Sequence, residues 1–148
     1  MVEMNKLIFF VLVLFIVGCS SNSQIDGNAV ADTTAASIDK LEIYHFHGTN
    51  QCYSCRTVGA YAEETVKTYF ADELKSGKIV FGHINVDLPE NKELAIKYGV
   101  TGASLWLGTY TGEEFKAEQN TNVWYKISNK EDYMNYLKGI IGQKLAGN

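Results

Sequence analysis

Apolar and polar positions follow three different rhythms along this chain. From Leu7 to Val17 the apolar residues are continuous, from Ser20 to Ile38 they nearly vanish, and from Lys40 onward they recur at strand and helix spacings. Lys40–His47 is rich in aliphatic and aromatic residues and runs into Gly48-Thr49-Asn50, which predicts a strand and a turn. Val58, Tyr61 or Ala62, Thr65 or Val66, Tyr69 or Phe70 and Leu74 then fall at helical spacing, with Gly77 placed as a C-terminal cap. That pattern predicts one long amphipathic helix beginning at Cys52. Ile79–Val86 predicts a second strand. Pro89, whose missing N–H costs nothing in a first helical turn, opens a short helix to Tyr98 with Glu90 and Glu93 near its positive end. Ser104–Tyr110 and Glu114–Lys116 read as a hairpin around Thr111-Gly112, and Val123–Ile127 as a short strand or turn. Ser128 or Asn129 caps a final helix through Leu145, with Tyr133, Tyr136, Leu137 and Ile140 or Ile141 inward. The predicted order is β, α, β, α, β, β, α.

The two N-terminal rhythms delimit the domain. Leu7–Val17 is too short to cross a bilayer as a mature helix, which takes about 20 apolar residues, and has the length of a signal-peptide core. Its end, Ile16-Val17-Gly18-Cys19, resembles the lipobox of prokaryotic lipoproteins, which implies cleavage after Gly18 and lipidation of Cys19. The alternative is an incidental thiol beside a signal peptide or an uncleaved anchor. Ser20–Ile38 is too polar to fold by burial. The expected organisation is therefore a signal peptide at 1–18, a flexible tether at 19–39, and a domain at 40–148 that ranges some tens of ångströms from a membrane surface.

Composition narrows the partners. With 148 residues, 46% of them hydrophobic, the chain has material for one core. The formal net charge of -4 survives removal of Met1–Gly18, which takes away Glu3 and Lys6 together. No run of Lys and Arg is present to neutralise phosphates, so nucleic acid is not an expected partner. No Gly-rich phosphate loop follows either early strand, which leaves no flavin or dinucleotide site to expect.

Beyond Cys19, the cysteines are Cys52 and Cys55, separated by Tyr53-Ser54 and lying between a predicted strand and a predicted helix. Two thiols at this spacing can make and break one disulfide. Disulfide exchange needs a thiol with enough thiolate to attack and a second close enough to resolve the mixed disulfide. At a helix N-terminus, free amides lower a thiol pKa from about 8.5 into a range of roughly 3.5 to 7.5. Cys52 is thus the expected nucleophile and Cys55 the resolver. Arg56 either adds positive potential or is a solvated surface side chain, and the Ser54 hydroxyl is placed to donate to the Cys52 sulfur.

The element order and this motif together resemble the thioredoxin fold. Ile84-Asn85-Val86-Asp87 followed by Ala95-Ile96-Lys97-Tyr98-Gly99-Val100 is similar to thioredoxin sequence, and the resemblance covers about Leu41–Leu145. It implies an α/β domain with a central mixed sheet of about four to five strands flanked by helices. More narrowly, Tyr44-His45-Phe46-His47-Gly48 leading to Cys52 and Cys55 resembles small lipoproteins described as ArsF-type nitrophenyl compound nitroreductase subunits, a thioredoxin-like group. The departures matter as much. Tyr53-Ser54 replaces the Gly-Pro of thioredoxin, Gln51 replaces its Trp, and Ser104 stands where that family has a cis-proline facing the disulfide. A cis bond before a residue other than proline costs about 2.5–4 kcal/mol, so the peptide before Ser104 is expected to be trans or locally rearranged.

The resemblance implies a lipid-anchored, extracytoplasmic, monomeric thiol–disulfide oxidoreductase acting on cysteine-containing proteins or small thiols, or fed by a membrane thiol reductant. Its Cys52/Cys55 disulfide would be the only redox group required. A competing reading makes the chain a carrier of copper, zinc, an iron–sulfur cluster or arsenic through Cys52, Cys55, His45 and His47. A third makes the disulfide merely structural, although so short a loop gains little from chain entropy. His45 and His47 share one face of their strand. His45 is expected either to sit in the sheet with a backbone or water partner or to accept a proton from Cys55, and His83 to be a plain strand residue. Trp106, Trp124 and the tyrosines are expected in the core and its rim.

Overall fold

The structure, a computed structural model, describes residues 37–147. The signal peptide, Cys19 and most of the expected tether lie outside these residues.

The β-branched and aromatic runs become strands, and the order in which they pair sets the architecture. Strand β1 (Lys40–His47) occupies the middle of a four-stranded sheet in the order β2-β1-β3-β4, with β2 at Ile79–Asn85, β3 at Ser104–Thr111 and β4 at Glu114–Asn120. β1 runs parallel to β2 and antiparallel to β3, and β3 and β4 form the antiparallel hairpin. Helix α1 (Tyr53–Tyr69) and helix α2 (Ala71–Ser76) make the parallel crossover between β1 and β2, helix α3 (Lys92–Tyr98) joins β2 to β3, and helix α4 (Lys130–Leu145) closes the chain. This is the thioredoxin-like mixed sheet flanked by helices that the element order predicts.

Alternation along β1 divides the layers. Leu41 and Ile43 face α1 and α4 and join Val58, Val66, Leu107, Tyr133, Leu137 and Ile141 in the main core. Glu42, Tyr44 and Phe46 face the other way, where Tyr98 of α3 packs edge-on against Tyr44 and tilted against Phe46. Tyr133 ties the helices together, its hydroxyl donating to the Val58 carbonyl at 2.8 Å. Removing a large apolar side chain from this core, as in Leu137→Ala, costs about 2–5 kcal/mol.

Several boundaries differ from the sequence reading. The single long helix is two, because Phe70 takes φ -135 and ψ 36 while its ring enters the core. Helical spacing continues across the break, so periodicity alone does not reveal it. Gly77, at φ 78, ends α2 as the expected left-handed cap. Pro89–Asn91 form a 3-10 turn ahead of α3, and β4 runs on to Asn120. Asn122–Lys126 are also a 3-10 turn rather than a strand. Asn129 is the cap of α4, its side-chain oxygen accepting from the Asp132 amide. The ordered domain starts before Leu41: Ile38 is 4% exposed in the core, and the Asp39 amide donates to the Tyr110 carbonyl at 2.7 Å. The last residues assigned to the tether thus belong to the folded unit.

Candidate functional site

Cys52 is the N-cap of α1, with φ -71 and ψ 172, and its sulfur accepts from the Cys55 amide at 3.4 Å. The two sulfurs are free thiols 3.3 Å apart. No acidic residue sits in the first turn of α1, so nothing there opposes negative charge on Cys52. The Cys55 amide and thiol, and the Ser54 amide, hold the Cys52 thiol below its usual range. Ser54 therefore contributes through its backbone. Cys55 moves the other way: burial, then its hydrogen bond to Cys52 and the Cys52 charge, push it up. One thiol is exposed and acidic, the other more covered and proton-holding.

The loop that presents Cys52 is pinned to the end of β2. The Thr49 amide donates to Asp87 at 2.7 Å, the Asn85 side chain donates to the Thr49 hydroxyl at 3.0 Å, and the Val86 amide donates to the His47 carbonyl at 2.8 Å. Arg56 donates to the Gln51 carbonyl at 2.7 Å, which fixes the residue before the motif. Tyr53 is 71% exposed and Tyr125 85% exposed, so these two tyrosines belong neither to the core nor to its rim. Ser104 is buried, and among the described residues no peptide bond is cis, so the bond before it is trans. Its hydroxyl donates to Gly102 and accepts from the Trp106 indole, which keeps it engaged on its own strand and the preceding loop.

The histidines are where sequence reasoning missed most. His45 is 1% exposed, and its Nδ1 lies 3.1 Å from Nδ1 of His83, a side-chain partner on the neighbouring strand. His83 is no plain strand residue, since its Nε2 also faces a Glu63 carboxylate oxygen at 3.3 Å. His47 stacks on His45 with centroids 5.3 Å apart. All three histidines of the chain therefore meet in one cleft of about 270 Å³, which Gln51, Arg56 and Glu63 also line, beside the thiol motif. Burial, reinforced by His83 and His47, pushes His45 down to about 4. It is a weak acceptor for the proton of a thiol raised above its ordinary range. The signal that could have found the cluster is register: Leu41 pairs with Ile79 and His45 with His83, each histidine standing four residues beyond that first pair.

Among the described residues no three His, Cys, Asp or Glu side chains are already gathered to hold a metal ion. The set Cys52, Cys55, His45 and His47 is thus not brought together as a ligand sphere. What the arrangement can do without rearrangement is thiol–disulfide exchange.

No family model and no curated protein matches the chain. The narrower likeness to the ArsF-type lipoproteins rests on Tyr44–Gly48 and the cysteine pair alone. Among solved structures, 27 chains are similar. One is human ERp44 in its zinc-bound form, at 13% identity and a TM-score of 0.43, covering 77% of this chain and 30% of that one. The chain spans less than a third of that protein's length, and the strand order, rather than this likeness, carries the fold.

Proposed function

We propose that the chain is a thiol–disulfide oxidoreductase anchored through Cys19 on the extracytoplasmic side of a membrane. The observation that carries the activity is the placement of Cys52 at the N-cap of α1, its sulfur 3.4 Å from the Cys55 amide and 3.3 Å from the Cys55 sulfur. The lipobox-like Ile16–Cys19 and the polar segment after it support the location, where disulfide chemistry is at home.

In the reducing direction the Cys52 thiolate attacks one sulfur of a partner disulfide. A Cys52–partner bond forms, the partner S–S bond breaks, and the leaving thiolate takes a proton from solvent. Cys55 then loses its proton and attacks the Cys52 sulfur, closing the Cys52–Cys55 disulfide and releasing the second partner thiol. Two electrons have passed to the partner, and a dithiol reductant restores the pair. With Cys55→Ser the second step is blocked, so cells expressing this variant should accumulate mixed disulfides on Cys52 that dithiothreitol releases. Their absence, with the variant folded and present at normal levels, would overturn the proposal.

A second reading draws on the same sulfurs. Free thiols 3.3 Å apart also suit chelation of a thiophilic ion such as copper(I) or arsenic(III). Stoichiometric metal in the purified chain that disappears with Cys52→Ala would favour that carrier.

A further inference from the structure

Three histidines on two strands, a glutamate on the covering helix and a glycine directly above them call for an explanation that the thiol pair does not provide. Gly59 lies in the interior of α1, where glycine is unfavourable by roughly 1 kcal/mol relative to alanine. Any Cβ there would collide with His45 Nδ1 and approach His45 Cε1 to 2.8 Å and His83 Cε1 to 2.9 Å. The helix leaves space for two imidazoles that a hydrophobic core would fill.

The hydrogen bonds fix where their lone pairs point. The Gly48 carbonyl only accepts, so the 2.9 Å contact with His47 Nδ1 places the proton on that nitrogen and frees Nε2. A Glu63 carboxylate likewise only accepts, so His83 carries its proton on Nε2 and turns a bare Nδ1 toward His45. Metal-bound imidazoles are held in this way, with the outer N–H on a carboxylate or backbone carbonyl. The inner pair has matching spacing. Two nitrogens about 2.0–2.1 Å from a tetrahedral zinc stand about 3.3–3.4 Å apart, and His45 and His83 Nδ1 are 3.1 Å apart. Among the described residues the buried side-chain polar atoms without partners are His45 Nε2 and Gln51 Oε1, so the outer nitrogen of His45 is free to carry that ring's proton when Nδ1 holds an ion.

We infer that His45 and His83 form the core of a binding site for a borderline divalent transition ion such as zinc or cobalt, completed by His47 and held from behind by Glu63. The ion replaces the proton between the two Nδ1 atoms, and that proton moves to His45 Nε2. His47, whose ring centroid is 6.4 Å from that of His83, turns in to give the third nitrogen, and the open side of the cleft leaves a position for water. Imidazole ligands select such ions, whereas thiophilic ions would go to Cys52 and Cys55. The site is independent of the oxidoreductase reading and uses none of its residues.

The test is titration of the full-length, tag-free chain with Co²⁺ alone, in a variant with Cys19, Cys52 and Cys55 all changed to Ser. We expect one cobalt per chain, with visible ligand-field bands and no sulfur charge-transfer band. Glu63→Gln should weaken binding about 10–100-fold and His83→Ala should abolish it, with both variants showing unchanged circular dichroism. His83 is partly exposed, so its removal leaves the fold intact. Absence of cobalt binding in the cysteine-free chain, or binding indifferent to His83→Ala, overturns the inference.

Discussion

Gly59 sits so close over His45 that no side chain fits between α1 and β1 at that point. This makes a glycine-to-alanine change, ordinarily stabilising within a helix, destabilising here. Gly139 and Gly142 of α4 provide the contrast, because a Cβ at either meets nothing within 4 Å. Gly59→Ala is expected to cost about 1–3 kcal/mol, the range for forcing an extra methyl group into a packed interior. Gly139→Ala and Gly142→Ala should each add up to about 1 kcal/mol. Urea unfolding of the three variants checks this. Equal stabilisation by all three would show that the histidine cluster yields easily.

Sequence made the layers legible because β1, β2 and β3 are patterned by burial, and the cysteine pair because its chemistry is bound to its spacing. Other features depend on partners distant in the chain. The break at Phe70 arises from where its ring must go, and no local signal competes with the helical spacing around it. His83 looked ordinary because a lone histidine on a strand says nothing until the neighbouring strand is known. Gly59 looked like a tolerated helix glycine until two rings were placed beneath it. The pinning of the Thr49 loop by Asn85 and Asp87 likewise becomes visible only when the ends of β1 and β2 are adjacent.

The thiols should titrate separately. Hydrogen bonds from the Cys55 amide and thiol favour charge on Cys52, while burial disfavours it on Cys55. In the reduced chain, iodoacetamide should modify Cys52 first, with a pH midpoint below the ordinary value of about 8.5, and Cys55 last, with a midpoint above it. Peptide mass spectrometry across a pH series reads both. Cys55→Ala removes the thiol donor but keeps the amide donor, so the Cys52 midpoint should rise while staying below about 8.5. Coincident midpoints for the two thiols would remove the basis for distinct attacker and resolver roles.

Stability should fall in mild acid through His45. Its folded pKa, about 4, lies below the unfolded value of about 6.5, because burial, then His83 and His47, disfavour its charge. Below pH 6.5 the unfolded chain takes up a proton that the folded chain refuses until about pH 4. The stabilising contribution is therefore complete above about pH 6.5 and is lost as pH falls toward 4, by up to about 3 kcal/mol. Glu63, which faces the same cleft, is held below its usual range by Lys67 and then His83, so its own loss comes at lower pH. Unfolding free energies between pH 7 and 5 isolate the histidine, and His45→Gln should flatten that part of the curve. A wild-type profile level across this interval would mean that His45 accepts its proton without cost.

Glu42 is the buried charge on the opposite face of the sheet, and its donors are unequal. Tyr98 and Tyr110 hydroxyls each donate to its Oε2 at 2.8 Å, and Lys40 contacts Oε1 at 2.7 Å. Burial raises the carboxyl pKa, but the hydrogen bonds from Lys40, Tyr98 and Tyr110 outweigh it, so the group stays ionised and dependent on those donors. Tyr98 is 2% exposed, and Gly108 leaves the space its hydroxyl needs, so water cannot readily replace it. A hydrogen bond to a charged partner in such a place contributes about 1.5–3 kcal/mol, and Tyr98→Phe should cost about that much. The Lys40 side chain is 37% exposed, and solvent screening holds Lys40→Met below about 1 kcal/mol. Because this network faces away from α1, neither change should move the alkylation midpoint of Cys52. Chemical denaturation and the alkylation series, run on the same two variants, check both expectations. A Tyr98→Phe chain whose Cys52 midpoint shifts would reveal coupling across the sheet that the separation of its two faces does not predict.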